Sequence, residues 1–163
     1  MSIQKSIAIE IEREAENTSR ILNALPNENF GYKPHEKSMS LGELANHIVE
    51  LHGWASFVFT TEEFDFHKDY LPSTLQSKEE LISALETMTT RNLEVVNALT
   101  DEEYFKIWKL KAGDHIIAEL PKAGAYRFIV TNHLIHHRGQ ISVYLRLLDI
   151  PLPGIYGPTA DDK

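Results

Sequence analysis

Residues 121–149 read PKAGAYRFIVTNHLIHHRGQISVYLRLLD, and this stretch decides the fold. Its apolar side chains recur at three- and four-residue offsets, which predicts one long, largely buried helix. Pro121 suits the first turn of that helix because a missing amide hydrogen does no harm there. The apolar positions are Tyr126, Val130, Leu134, Ile141, Val143, Tyr144, Leu147 and Leu148.

The same stretch carries three of the eight histidines in the chain. On a helix, His133 and His137 lie one turn apart and about 40° from each other around the axis, so both imidazoles can point at one ion. His136 is rotated about 60° the other way, and we expect it to have a structural role. A pair of histidines needs a third ligand from elsewhere in the chain.

We expect His47 to be that ligand. It lies in SLGELANHIVELHGWASFVF, residues 40–59, and continues an apolar face formed by Leu44, Leu51, Trp54 and Val58. A lone buried imidazole is costly unless it is hydrogen-bonded or bound. Two helices that each direct histidine to the interior therefore indicate a shared metal site.

Composition excludes several classes of function. The formal net charge is −8, from 24 acidic and 16 basic residues, and no basic patch suited to nucleic acid is apparent. No cysteine is present, so disulfides and thiolate metal sites are excluded. The N-terminus lacks the apolar core of a signal peptide, and no run reaches the roughly 18 apolar residues of a membrane span. We predict a cytoplasmic protein without a membrane or nucleic-acid partner.

Four long amphipathic segments predict an all-α four-helix bundle that forms one domain over residues 1–163. The first helix is predicted from Ile3 to Leu25, the second from a capping box at Ser40 to about Thr61, and the third from residue 77 to residue 99. Residues 62–74 read as an acidic, aromatic connection, and residues 105–120 as a small β-hairpin or extended excursion around Ala-Gly-Asp. The long loop after the first helix leaves room for a crossover connection.

The segment HLIHHRGQISVYLRLLDIPLPGIYGPTADD, residues 133–162, closely resembles the C-terminal signature of the DinB family, also described as DinB/YfiT-like metalloenzymes. Residues 32–48, YKPHEKSMSLGELANHI, match the family as well. The resemblance implies a four-helix bundle with an unusual crossover topology, a homodimer, and a divalent metal held by three histidines. The matching positions here are His47, His133 and His137.

The resemblance implies two kinds of chemistry on a small-molecule substrate. Some relatives resemble thiol-dependent transferases or isomerases that use bacillithiol or mycothiol, and others are described as metal-dependent hydrolases. Three neutral imidazoles leave an open position on the ion, which is typical of a catalytic site. Since the chain has no cysteine, a low-molecular-weight thiol has to be a cosubstrate. Zinc and nickel are the first candidates for the metal, followed by iron, copper and manganese.

Other residues near the predicted ligands have weaker assignments. Glu43 precedes His47 by four residues and could orient its ring, but the capping box is the favoured explanation of Glu43. His52 is expected at the surface or behind the ligands. Arg138 and Gln140 support either the helix or a dimer contact, and no catalytic residue is assigned. His35, His67 and His115 receive no role.

A different class of function stays open. In this alternative the chain is a non-catalytic stress-response or binding module that keeps the bundle and the dimer, while its metal is structural or incidental. A structural ion stabilises the native state, so thermal stability with and without a chelator distinguishes the two hypotheses.

Overall fold

A computed structural model describes residues 2–162. Within these residues the protein is mostly helical, at 58%, with four long helices, the last of which is divided into three segments, and a small three-stranded sheet. No helix in the described part is both long enough and apolar enough to span a bilayer. In chain order the elements are α1 (Ile3–Asn23), α2 (Leu41–Thr60), β1 (Glu63–Asp65), α3 (Lys78–Ala98), β2 (Ile107–Ala112), β3 (His115–Pro121), α4 (Lys122–Ala125), a π-helical segment (Tyr126–Thr131) and α5 (Asn132–Leu147).

Helix starts follow the predicted caps. The Ser40 hydroxyl accepts from the Glu43 amide at 3.1 Å, and the Glu43 carboxylate accepts from the Ser40 amide at 2.6 Å, which completes the capping box of α2. The Ser77 hydroxyl accepts from the Glu80 amide at 3.2 Å and starts α3. At the other end of a helix, α1 stops at Asn23, two residues earlier than predicted, because the last turn tightens.

The last long helix is not uniform. Lys122–Ala125 forms one α-turn, Tyr126–Thr131 is π-helical, and α5 then continues to Leu147. At the junction the Asn132 amide donates to the Arg127 carbonyl, five residues back. Periodicity in the sequence predicted a single regular helix. A π-helical insertion adds one residue to a turn and rotates everything after it, and such insertions are frequent at functional sites.

The sheet confirms the predicted hairpin and adds a strand. Strands β2 and β3 pair antiparallel across a two-residue loop, where Gly113 has a φ of 61° that glycine adopts without steric cost. Strand β1 pairs with β2 in parallel, with Glu63 opposite Lys109. The prediction of a plain connection over residues 62–74 was wrong in this respect, because a three-residue strand is formed by its distant partner and leaves no periodic signal of its own.

The core lies between α2 and its neighbours. Helix α3 packs against α1 and α2, and α5 packs mainly against α2, so α2 is buried on nearly all sides. Two predicted core positions were wrong: Val143 and Leu147 are 58% and 57% exposed. Helix α5 meets its neighbours on one side only, so its buried stripe is narrower than the apolar pattern. The crossover topology of the bundle stays a prediction.

Candidate metal centre

Three histidine side chains from two helices meet in the space between α2 and α5. His137 Nε2 lies 2.7 Å from His133 Nε2, and His47 Nε2 lies 3.4 Å from the same atom. One ring nitrogen from each residue lies within 4.8 Å of the others. All three rings are half-buried. The structure therefore brings together the three residues predicted from the sequence, although His47 is 86 positions away from His133 in the chain.

Two of the rings have their other nitrogen bonded to an acceptor. His47 Nδ1 lies 3.0 Å from a Glu50 carboxylate oxygen, and His137 Nδ1 lies 2.7 Å from the Gln140 side-chain oxygen. An acceptor at Nδ1 places the proton there and leaves Nε2 with a free lone pair. Both Nε2 lone pairs are therefore directed at His133.

Burial favours the neutral form of His133 and His137. Desolvation is the main cause that lowers the pKa of His133 to about 4, and the nearby His137 and His47 lower it further. A hydrogen bond to the Ile129 backbone raises the pKa and partly offsets these effects. Desolvation also lowers the pKa of His137, while its hydrogen bond to Gln140 raises it. A neutral imidazole is the form that binds a metal ion.

The donor set fits a divalent transition metal. His133 can donate at most one Nε2 proton, so it cannot satisfy the lone pairs of both His47 and His137, whereas one cation accepts from all three rings. The nitrogens of a tetrahedral zinc site are about 3.3 Å apart, given Zn–N bonds of about 2.0–2.1 Å. The 3.4 Å between His47 and His133 meets that spacing. The pair at 2.7 Å has to separate by about 0.6 Å, by the same estimate, to share an ion.

Glu50 joins His47, one of the three predicted ligands, to the chain beyond β1. One carboxylate oxygen of Glu50 accepts from the Tyr70 hydroxyl at 3.3 Å as well as facing His47, and the other accepts from the Ser73 amide. Asn46, the neighbour of His47, anchors the same segment through bonds of 2.8–2.9 Å to the Leu75 backbone. The segment around residues 70–75 is thereby held over the start of α2.

A cavity of about 420 Å³ lies beside this segment and reaches His47 and Glu50. Tyr70 forms part of its wall. The Trp54 ring stands edge-on to His47 at 6.5 Å and packs against Tyr70 at 6.2 Å. The candidate metal centre therefore has aromatic rings on one side and an open polar cavity on another, a combination typical of small-molecule sites.

The sequence left two alternatives for His52 and did not identify several polar residues. His52 is 4% exposed, so the surface alternative is wrong, because α2 is enclosed by α1, α3 and α5. Glu50, not Glu43, faces the ring of His47, and the i, i+3 spacing of His47 and Glu50 on one helix could have indicated it. The Gln140 side-chain oxygen contacts the His137 ring, a role that the sequence did not indicate. The remaining four histidines are exposed: His35, His67, His115 and His136.

A buried polar network lies behind the metal centre. The Arg138 guanidinium, 2% exposed, donates to the Thr18 hydroxyl at 3.1 Å, to the Glu14 carboxylate and to the Tyr156 hydroxyl. Thr18 in turn bonds to His52 at 3.0 Å. Burial, with Arg138 nearby, lowers the pKa of His52 to about 3. The network connects α1, α2, α5 and the C-terminal tail, so Arg138 has a structural role that the sequence left open.

Comparison with known proteins agrees with the fold. The sequence pattern of the DinB family matches residues 1–163. Two uncharacterised proteins of Bacillus subtilis (strain 168), YrdA and YjoA, are each 26% identical to this chain. The match to YrdA covers 93% of this chain and 86% of YrdA. The match to YjoA covers 79% of this chain and 80% of YjoA. The crystal structure of YjoA superposes with a TM-score of 0.72 at 20% identity, covering 94% of this chain and 99% of that one.

A second crystal structure, of a DinB-like protein from Bacillus cereus ATCC 10987, gives a TM-score of 0.66 at 23% identity, with 89% of this chain and 92% of that chain covered. At these identities the superpositions establish the fold. The match of the family pattern over the whole chain establishes membership: this protein belongs to the DinB family.

Proposed function

We propose that this protein is a metal-dependent enzyme that acts on a small molecule, and that His47, His133 and His137 hold its divalent ion. One observation carries the proposal. The Nε2 lone pairs of His47 and His137, whose tautomers are fixed by Glu50 and Gln140, both point at His133, which can donate a hydrogen bond to only one of them. Zinc or nickel is the first candidate for the ion, with iron, copper or manganese as the others, because all accept imidazole nitrogen.

A divalent ion with three neutral imidazoles keeps an open position and serves as a Lewis acid there. The residues of the chain have supporting parts in this proposal. Glu50 and Gln140 orient two of the rings, and burial holds His133 unprotonated near neutral pH. The cavity against His47 admits a small substrate. Because no cysteine is available, a thiol-dependent transferase reaction needs a low-molecular-weight thiol as cosubstrate, and metal-assisted hydrolysis is the other reaction type.

The first test is metal content. Untagged protein is expected to hold one equivalent of a divalent metal by elemental analysis, and His47→Ala, His133→Ala and His137→Ala are each expected to lose it. His136→Ala is the matched control, because His136 is exposed and lies on the same helix beside His137. Retention of stoichiometric metal by all three ligand variants would end the proposal.

The second test is activity. The metal-loaded protein is screened against electrophiles in the presence of several low-molecular-weight thiols, and separately against ester and amide substrates. Turnover in either half, abolished by His137→Ala and kept by His136→Ala, identifies the reaction type. An intact metal site without turnover, combined with a large loss of thermal stability on chelation, favours the non-catalytic module with a structural metal.

A further inference from the structure

A second cavity lies at the far end of α2. It has a volume of about 550 Å³ and is enclosed by the end of α2 and by the sheet. Phe59, on its wall, is 12 residues after His47, which places it about 18 Å further along the helix axis. The cavity is therefore separate from the candidate metal centre. Its wall includes Phe59, Thr61, Glu62, Glu103, Lys106 and Lys122.

Lys122 is the unusual member of this wall. Lys122 is 5% exposed, and its Nζ donates to the Phe59 backbone carbonyl at 2.9 Å. Across residues 2–162 that carbonyl is the one hydrogen-bond partner found for Nζ, and no carboxylate forms an ion pair with it. A buried lysine without an ion-pair partner is costly to keep charged.

The electrostatics of Lys122 suit a nucleophilic amine. Burial lowers its pKa from the ordinary value, Glu103 opposes that shift, and Lys106 adds to it. Lys106 lines the same cavity but shows the opposite behaviour, because a hydrogen bond to Glu103 raises its pKa. Desolvation and a neighbouring cation are the two conditions that activate lysine nucleophiles in enzymes.

We propose that Lys122 captures small aldehydes or ketones in this cavity as an imine. As a neutral amine, Lys122 can keep one N–H bond to Phe59 while its nitrogen lone pair stays free. The lone pair adds to the carbonyl carbon, the carbonyl oxygen takes a proton from the nitrogen, and a carbinolamine forms. Loss of one water molecule leaves the C=N bond, so the step needs no oxidant or reductant. The proposal is independent of the metal centre.

Reductive trapping tests this assignment. The full chain, in EDTA, is treated with benzaldehyde and cyanoborohydride at pH 7, and the modified lysines are located by peptide mass spectrometry. We expect Lys122 to be labelled several-fold faster than Lys106, because the lowered pKa of Lys122 leaves a larger neutral fraction of its amine at pH 7. Lys106 is the matched control because it lines the same cavity with a 60% exposed side chain.

Two variants complete the experiment. Lys122→Met is expected to lose the dominant adduct while Lys106 labelling stays unchanged. Lys122→Arg keeps a donor for Phe59 and, with a thermal melt like that of the parent, is expected to lose the adduct as well. Labelling that follows exposure, with Lys106 modified as fast as Lys122 or faster, overturns the proposal, and so does a parent protein in which Lys122 stays unmodified.

Discussion

At the scale of single residues, the Glu50 carboxylate orients the His47 ring for the proposed metal ion. Both oxygens of Glu50 are used, one by His47 and Tyr70 and the other by the Ser73 amide. A carboxylate that is hydrogen-bonded to a metal-binding imidazole fixes the tautomer and orientation of the ring. Its removal typically weakens metal affinity by roughly 10–100-fold.

We predict that Glu50→Ala weakens metal binding by roughly 10–100-fold, measured by competition with a chromophoric chelator. Glu50→Gln is expected to fall between Ala and the parent, because its amide oxygen can still accept from His47 Nδ1. Glu43→Ala is the control: Glu43 belongs to the capping box, so this variant is expected to keep its affinity and to lose about 1 kcal/mol of stability. Equal affinity in the parent and Glu50→Ala would contradict the assignment even if the metal itself binds.

The buried His52 leads to a prediction about how folding stability depends on pH. Its pKa is near the ordinary value of 6.5 in the unfolded chain and about 3 in the folded protein, so the unfolded chain binds the extra proton between these values. The contribution of His52 to stability is complete above pH 6.5 and is lost as the pH falls towards 3, at up to about 1.4 kcal/mol per pH unit.

Urea denaturation between pH 7 and pH 4, in EDTA, measures this effect. His52→Gln is expected to show a shallower decline of the free energy of unfolding than the parent, by the equivalent of one proton, because glutamine does not titrate. Contributions of His133 and His137 are common to both proteins and cancel in the difference. Parallel curves for the two proteins would show that His52 is not the group responsible.

At the scale of elements, Arg138 fastens α5 to α1 and to the C-terminal tail. Its guanidinium meets the Glu14 carboxylate and the Tyr156 hydroxyl while being 2% exposed. Removing one partner of a buried ion pair strands the other charge, which costs about 3–5 kcal/mol. The pair that Arg146, on the same helix, forms with Asp161 is exposed, so water screens it and its contribution to stability is small.

We therefore predict that Arg138→Met lowers the free energy of unfolding by about 3–5 kcal/mol, whereas Arg146→Met lowers it by much less. Both substitutions replace an arginine on α5 with the same side chain, so helix propensity cancels from the comparison. Urea denaturation followed by circular dichroism measures the two values. A similar small loss in both variants would mean that the buried network contributes little to holding α5 and the tail.

At the scale of the whole molecule, the proposed metal site predicts a link between metal concentration and folding stability. An ion that binds the native state and not the unfolded chain stabilises it by about 2.7 kcal/mol at 100 times its Kd. We predict that Tm rises with the concentration of added zinc or nickel for the parent protein and stays constant for His133→Ala. Calorimetric scans with and without EDTA supply the measurement. A parent Tm that is independent of metal would contradict binding by the folded state.

The homodimer implied by the family resemblance stays a prediction. Three large apolar side chains on the last helix are exposed: Phe128, Val143 and Leu147, at 57–63%. Exposed apolar area of this kind is a common feature of subunit interfaces. Light scattering on a sizing column is expected to give twice the chain mass of 18.6 kDa. A mass of one chain at micromolar concentration would contradict the prediction.

Local patterns in the sequence determined the helices, their caps, the hairpin and the identity of the three converging histidines. Caps and apolar periodicity are written into neighbouring residues, and a His-x-x-x-His pair shares a helix face by geometry alone. The contact between His47 and Glu50 is also local, at three residues, whereas the bonds of Glu50 to Tyr70 and Ser73 cross 20 and 23 residues.

Only the tertiary structure decided the rest. The burial of His52, the network around Arg138, the strand β1 and the narrow buried stripe of α5 all depend on which elements pack against which. The hydrogen bonds of the network join residues that are 18 to 142 positions apart in the chain. The π-helical segment rotates α5 in a way that periodicity cannot register. Short-range order follows from the backbone and its nearest side chains, whereas desolvation and long-range hydrogen bonds exist only after distant segments exclude water together.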